Sequence, residues 1–116
     1  MSADQLTQVL TAIDTANAED PNLEDGQPAA LLYGKRMSAE LARLFPDAGE
    51  ALQIAARGQH VERWKLARSA YPEGRAGYLA WRKAQGQVHA GLVEALMQDA
   101  GDGAEELEAA GHMLRT

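Results

Sequence analysis

Residues 55–89 read AARGQHVERWKLARSAYPEGRAGYLAWRKAQGQVH. This stretch holds both Trp residues, two of the three Tyr, two of the three His, and seven of the eleven Lys and Arg, so its reading decides both fold and site. Its apolar residues recur every three or four positions and never alternate with period two, which predicts helix rather than strand. On a helix over about residues 48–69, Leu52, Ala56, Leu66 and Ala67 share one side with Gln59, His60 and Arg63. Ile54, Val61 and Trp64 occupy much of the opposite side. A helix that is apolar on both sides is buried among neighbours. Gln59, His60 and Arg63 would then point inward and need partners, because an unpaired buried polar group costs roughly 1–3 kcal/mol.

Tyr71-Pro72-Glu73-Gly74 is a break, and the next helix is expected over residues 75–99. Along it Tyr78, Arg82, Gln85, His89, Leu92 and Leu96 are spaced 4, 3, 4, 3, 4, a seam on one helix face. Antiparallel packing of the two helices would bring His60, Arg63, Arg82 and His89 together. Gly58, Gly86 and Gly91 fall inside expected helices, where each costs about 1 kcal/mol relative to Ala. Close approach of a neighbour and a merely tolerated weak spot both remain open as reasons.

Towards the N-terminus, Ser2 and Gln5 suit a capping box for a first helix carrying Leu6, Val9, Leu10 and Ile13 and stopping near Ala18. Residues 19–28, EDPNLEDGQP, read as a loop. Asp14, Asn17 and Asp20 at its entrance read as helix and turn caps, with a hard-cation site as the alternative. Pro28 suits the start of a second helix with the stripe Ala30, Tyr33, Met37, Leu41 and Leu44, and Arg36 and Glu40 are placed to pair at i, i+4. Asp47 and Glu50 are read as the acidic N-terminal cap of the third helix. Residues 100–106 form a turn into a last helix that ends at Leu114, with Leu107, Ala110 and Leu114 inward and His112 outward. The expectation is an all-α, single compact bundle of about five helices, one domain over residues 1–116.

With 46% apolar and 24% charged residues the composition is that of a globular chain rather than a disordered one. The absence of Cys excludes disulfides, thiolate nucleophiles and cysteine zinc sites. No apolar run approaches the roughly 20 residues of a membrane span, and MSADQLTQVL has neither basic start nor apolar centre, so a cytoplasmic protein without membrane contact is expected. The net charge of −6 argues against general nucleic-acid binding. Its distribution is uneven: residues 1–50 carry nine acids and three bases, residues 51–84 two acids and seven bases, and residues 85–116 six acids and one base. The basic middle either pairs internally with its acidic neighbours or forms a pocket for a small anion, to which Arg offers a planar donor fork.

Two motifs stand out: RxQHxxRW (Arg57, Gln59, His60, Arg63, Trp64) and YPxGRxGYxxWR (Tyr71, Pro72, Gly74, Arg75, Gly77, Tyr78, Trp81, Arg82). Together with IDTANAEDPN at 13–22 and LLYGKRM at 31–37, they resemble the domain of unknown function 4202 family over about the whole chain. The resemblance carries no activity over. It implies longer relatives with a further helical part beyond Leu114. A chain ending at Thr116 would then expose an apolar patch or pair with a second copy as a homodimer.

Three functions compete. The first is a site for a small phosphorylated or carboxylated ligand, lined by Arg57, Gln59, His60, Arg63, Trp64, Arg75, Tyr78, Arg82 and His89, with Arg68 and Trp81 adding charge and flat surface. The second is a metal-dependent hydrolase loosely like the HD phosphohydrolases, with His60 and His89 holding a divalent metal. That pattern wants Asp directly after the second His, where Ala90 stands, and a downstream carboxylate, for which Glu94 and Asp99 are nearest. The third is a structural or partner-binding helical domain. Ser2, Ser38 and Ser69 sit in no nucleophile motif, and no Gly-rich phosphate loop is present.

Overall fold

The structure, a computed structural model, describes residues 3–116. Five α-helices are joined by short connections: α1 (Ala3–Asn17), α2 (Ala29–Leu44), α3 (Glu50–Arg57), α4 (Arg75–Asp99) and α5 (Ala104–Arg115). The fold is all-α apart from one small hairpin. In α1, Val9 and Ile13 lie one turn apart and are fully buried. They meet Ile54 and Ala55 of α3, Ala90, Val93 and Met97 of α4, and Leu107, Ala110 and Leu114 of α5 in one apolar core. The turn after α4 passes through Gly101 at φ +86°, and α5 runs back along α4 until Arg115 Nε donates to Gln87 Oε1 at 3.1 Å. His112 is exposed while Leu107, Ala110 and Leu114 are buried, the expected facing.

The main departure from expectation is the third helix. It ends at Arg57, with Gly58 closing it, instead of continuing to about residue 69. Residues 58–74 form an irregular connector with two 3₁₀ turns, Arg63–Lys65 and Arg68–Ala70, and with Glu62 left-handed at φ +56°. Backbone carbonyls outside a helix need other donors when buried. One face of α4 supplies them. Trp81 Nε1 donates to Leu66 O at 2.9 Å, Gln85 Nε2 to Arg63 O at 2.9 Å and Leu66 O at 3.0 Å, and His89 Nδ1 to Val61 O at 2.7 Å. These three side chains are spaced four apart, one turn each, so they line up along the connector. Val61, freed from the helix, is fully buried in the core.

The 19–28 loop contains a hairpin, β1 (Leu23–Glu24) against β2 (Gln27–Pro28), turning at Asp25 and Gly26, both at positive φ. An Asp-Gly pair suits that tight turn. Asp14, Asn17 and Asp20 all serve the protein's own groups. Asp14 takes both Nε and Nη2 of Arg57 at 2.7 Å, Asn17 Oδ1 accepts from Glu62 N at 3.2 Å, and Asp20 Oδ2 accepts from Ala30 N at 2.8 Å in the first turn of α2. Asp20 is therefore a cap.

Smaller expectations are corrected. Arg36 reaches Glu24 and Asp25 of the hairpin instead of Glu40, which pairs with Arg43. Asp47 and Glu50 form no cap, because the turn closed by Ala48 N on Phe45 O delays the helix until Gly49 becomes its N-cap. Ser2 lies outside the described residues, and Gln5 donates to Ala100 O and Gly101 O. Of the three glycines expected inside helices, Gly58 instead caps the end of α3, and Gly58 and Gly86 face neighbours that a Cβ would meet at 2.8 Å (Val93) and 2.9 Å (Leu114 O). Gly91 faces open space. Leu44 is 52% exposed and, with Phe45, Leu52 and Met113, borders an apolar depression of about 330 Å³. No helix among the described residues is long and apolar enough to cross a membrane.

Candidate functional site

A cavity of about 660 Å³ opens between α2, the connector, α4 and the end of α5. The connector places Gln59, His60 and Arg63 on one wall, and α4 places Tyr78, Trp81, Arg82, Lys83, Gln85 and His89 on the other. Tyr33 of α2 and Arg115 of α5 complete it. The α4-to-connector bonds described above fix the connector against α4, so the same side chains that fold the connector, Trp81, Gln85 and His89, also line the cavity.

His60 stacks on Tyr33 with ring centroids 3.6 Å apart and planes 9° from parallel. Tyr33 also donates its hydroxyl to Gln59 Oε1 at 3.2 Å. Burial, then the neighbouring charge of Arg63 and the His89 ring, push the His60 imidazole down to about 4. It is neutral at physiological pH. His89 is 5% exposed, and its pKa is lowered by burial and by Arg63, against the opposing bond to Val61. A carbonyl only accepts, so the 2.7 Å contact to Val61 O assigns the proton to Nδ1 and leaves a lone pair on Nε2.

Arg63 lies over Trp81, its Cζ 5.1 Å from the ring centroid, with Nη1 3.4 Å from the His60 ring nitrogens. Arg63, Arg82 and Lys83 have no carboxylate partner among the described residues, and Arg115 pairs with Glu94 at 2.5 Å. No Asp or Glu side chain lines the cavity.

Six of the expected site residues therefore meet: Gln59, His60, Arg63, Tyr78, Arg82 and His89. Three do not. Arg57 is turned to α1 in its bidentate pair with Asp14. Trp64 lies in an adjoining depression of about 400 Å³, which shares Tyr33, His60, Arg63 and Trp81 with the first. Arg75 is exposed at the start of α4 and lines no cavity described here. Tyr33, Lys83 and Arg115 were not among the expected residues. Lys83 follows Arg82 and was within reach of a charge count, whereas nothing in LLYGKRM or at the C-terminal end signals that Tyr33 stacks on His60 or that Arg115 lines the same cavity.

His60 and His89 approach one cavity, but no group of three or more His, Asp or Glu side chains able to hold a metal occurs among the described residues. Glu94 is engaged by Arg115. Asp99 ends α4 ten residues beyond His89, about 15 Å along the helix axis. Comparison with curated proteins and with solved structures finds no match to either. The family model described as domain of unknown function (DUF4202) matches residues 7–116, and the chain belongs to that family.

Proposed function

We propose that the chain binds a small phosphorylated or carboxylated ligand in the cavity between the connector and α4. One observation carries the reading. In a chain of net charge −6, this cavity is lined by Arg63, Arg82, Lys83 and Arg115 and by no Asp or Glu side chain. Cations gathered in a cleft without counter-charge focus a positive potential and favour an anion there. Arg57, Arg36, Arg43, Lys65 and Arg115 have their carboxylates, so internal pairing accounts for those bases and leaves Arg63, Arg82 and Lys83 of the cavity without one among the described residues. The volume of about 660 Å³ suits a metabolite-sized ligand.

Thermal unfolding in phosphate or sulfate against chloride at matched ionic strength tests this reading. A ligand at 100 times its Kd adds about 2.7 kcal/mol, or roughly 10 °C for a domain of this size. Arg82→Ala, at an exposed position, is expected to remove most of that shift, and so is Arg63→Met. Equal responses to all three anions, or a phosphate shift that survives both substitutions, would overturn the proposal.

A further inference from the structure

We infer that the ligand is a phosphate ester carrying free hydroxyls, a polyol or sugar phosphate, because the cavity pairs a cationic rim with an acceptor-only floor. This rests on the anion reading above and narrows it.

The floor follows from counting donors. Trp81 has one polar hydrogen, and Leu66 O takes it. Gln85 has two, and Arg63 O and Leu66 O take them. Neutral His89 has one, and Val61 O takes it. What this face of α4 retains is accepting capacity: the His89 Nε2 lone pair and Gln85 Oε1. Gln85 is 5% exposed, and its Oε1 is buried with no donor among the described residues. Such an atom costs free energy until a donor reaches it. The rim is the reverse. Arg63, Arg82 and Lys83 only donate. A ligand that satisfies both has an anionic end and, elsewhere on the same molecule, a hydrogen-bond donor.

The donor is a hydroxyl rather than an ammonium. A protonated amine entering the cavity would meet Arg63, Arg82 and Lys83, none of which has a carboxylate partner among the described residues, an arrangement that repels it. A hydroxyl brings the hydrogen without the charge. The anion is better a phosphate than a carboxylate because three unpaired cations match a dianion with three acceptor oxygens. Tyr78, 44% exposed, offers apolar ring surface to the carbon skeleton between the two ends.

The test is calorimetry with matched probes: glycerol 3-phosphate, 1-propyl phosphate, which lacks both hydroxyls, and phosphoethanolamine, which replaces them with an ammonium. Glycerol 3-phosphate is expected to bind about tenfold more tightly than propyl phosphate, with phosphoethanolamine the weakest. In His89→Asn the amide nitrogen stands where Nδ1 stood, so the donor to Val61 O is kept and the Nε2 acceptor is lost. The tenfold ratio should fall to about threefold or less. Nitrogen NMR of the wild-type protein gives a reading independent of any variant: the His89 Nε2 resonance should move upfield with glycerol 3-phosphate and stay put with propyl phosphate. Equal affinity for the two, tightest binding of phosphoethanolamine, or an Nε2 signal indifferent to the hydroxyls would each overturn the inference while leaving the anion site intact. Failure of all three phosphates to bind would instead sink the anion reading beneath it.

Discussion

Acidification separates the imidazole of His60 from the rest of the protein's titration. In the folded protein this ring stays neutral down to about pH 4, while in the unfolded chain it gains a proton near 6.5. Above pH 6.5 both states are neutral and His60 adds no pH dependence. As the pH falls from 6.5 towards 4, the unfolded chain binds a proton that the folded protein does not, so stability drops, and below about 4 the loss is complete. The gap of about 2.5, at about 1.36 kcal/mol per unit, gives roughly 3 kcal/mol for a dry ring. His60 keeps some solvent contact, and screening reduces this to about 1–2 kcal/mol, most of it lost between about pH 6.5 and 5. The assay is urea unfolding of the wild type and of His60→Asn at about pH 7, 6 and 5. The variant forfeits the Tyr33 stack and is less stable throughout, so the quantity to read is the gap between the two proteins. Carboxylates and His89 titrate in both and cancel. The gap should shrink by about 1–2 kcal/mol on going from pH 7 to 5. A gap that stays constant over that range would refute a buried, neutral His60 beside Arg63. Sulfate keeps its charge over this interval and, bound in the cavity, would favour the imidazolium, so it should blunt the wild-type loss.

Two glycines of α4 should respond in opposite senses to one substitution. A Cβ at Gly77 would lie 1.7 Å from Pro72 O, so Gly77→Ala is expected to cost about 2 kcal/mol or more, whereas Gly91→Ala, with nothing within 4 Å, should gain up to about 1 kcal/mol in thermal unfolding. Asp14→Asn strips the half-buried Arg57 of its bidentate partner and should destabilise by about 2 kcal/mol in urea titration, while the phosphate-induced shift stays unchanged because Arg57 is outside the cavity. Exhaustive chelation with EDTA is expected to leave that phosphate shift intact, since guanidinium and ammonium groups supply the positive charge; loss of the shift, together with bound metal that His60→Ala and His89→Ala both remove, would favour the hydrolase reading.

Helical periodicity and punctuation made much of this fold legible in advance. The break at Tyr71-Pro72-Glu73-Gly74 announced α4 at residues 75–99, and the Leu107, Ala110, Leu114 stripe announced which face of α5 is buried. Those are local signals, set by side-chain spacing and backbone stiffness within a few residues. His60, Arg63, Arg82 and His89 do line one cavity, but not as inward groups of two packed helices: Gln59, Arg63 and Arg82 are exposed, and His60 and Arg63 sit on the irregular connector. The early end of α3 was not legible. Residues 58–70 carry a helical pattern, and what keeps them out of a helix is a set of donors 15 to 28 positions away, Trp81, Gln85 and His89, which satisfy the carbonyls that a helix would otherwise have occupied. Separation in sequence likewise hides that Tyr33 stacks on His60 and that Arg115, at the far end of the chain, lines the same cavity. Local periodicity named six of the side chains that line the cavity and misplaced Arg57, Trp64 and Arg75. Which of them face an unoccupied lone pair and which an unpaired cation depended on contacts between distant segments, and those exist only once the chain has folded.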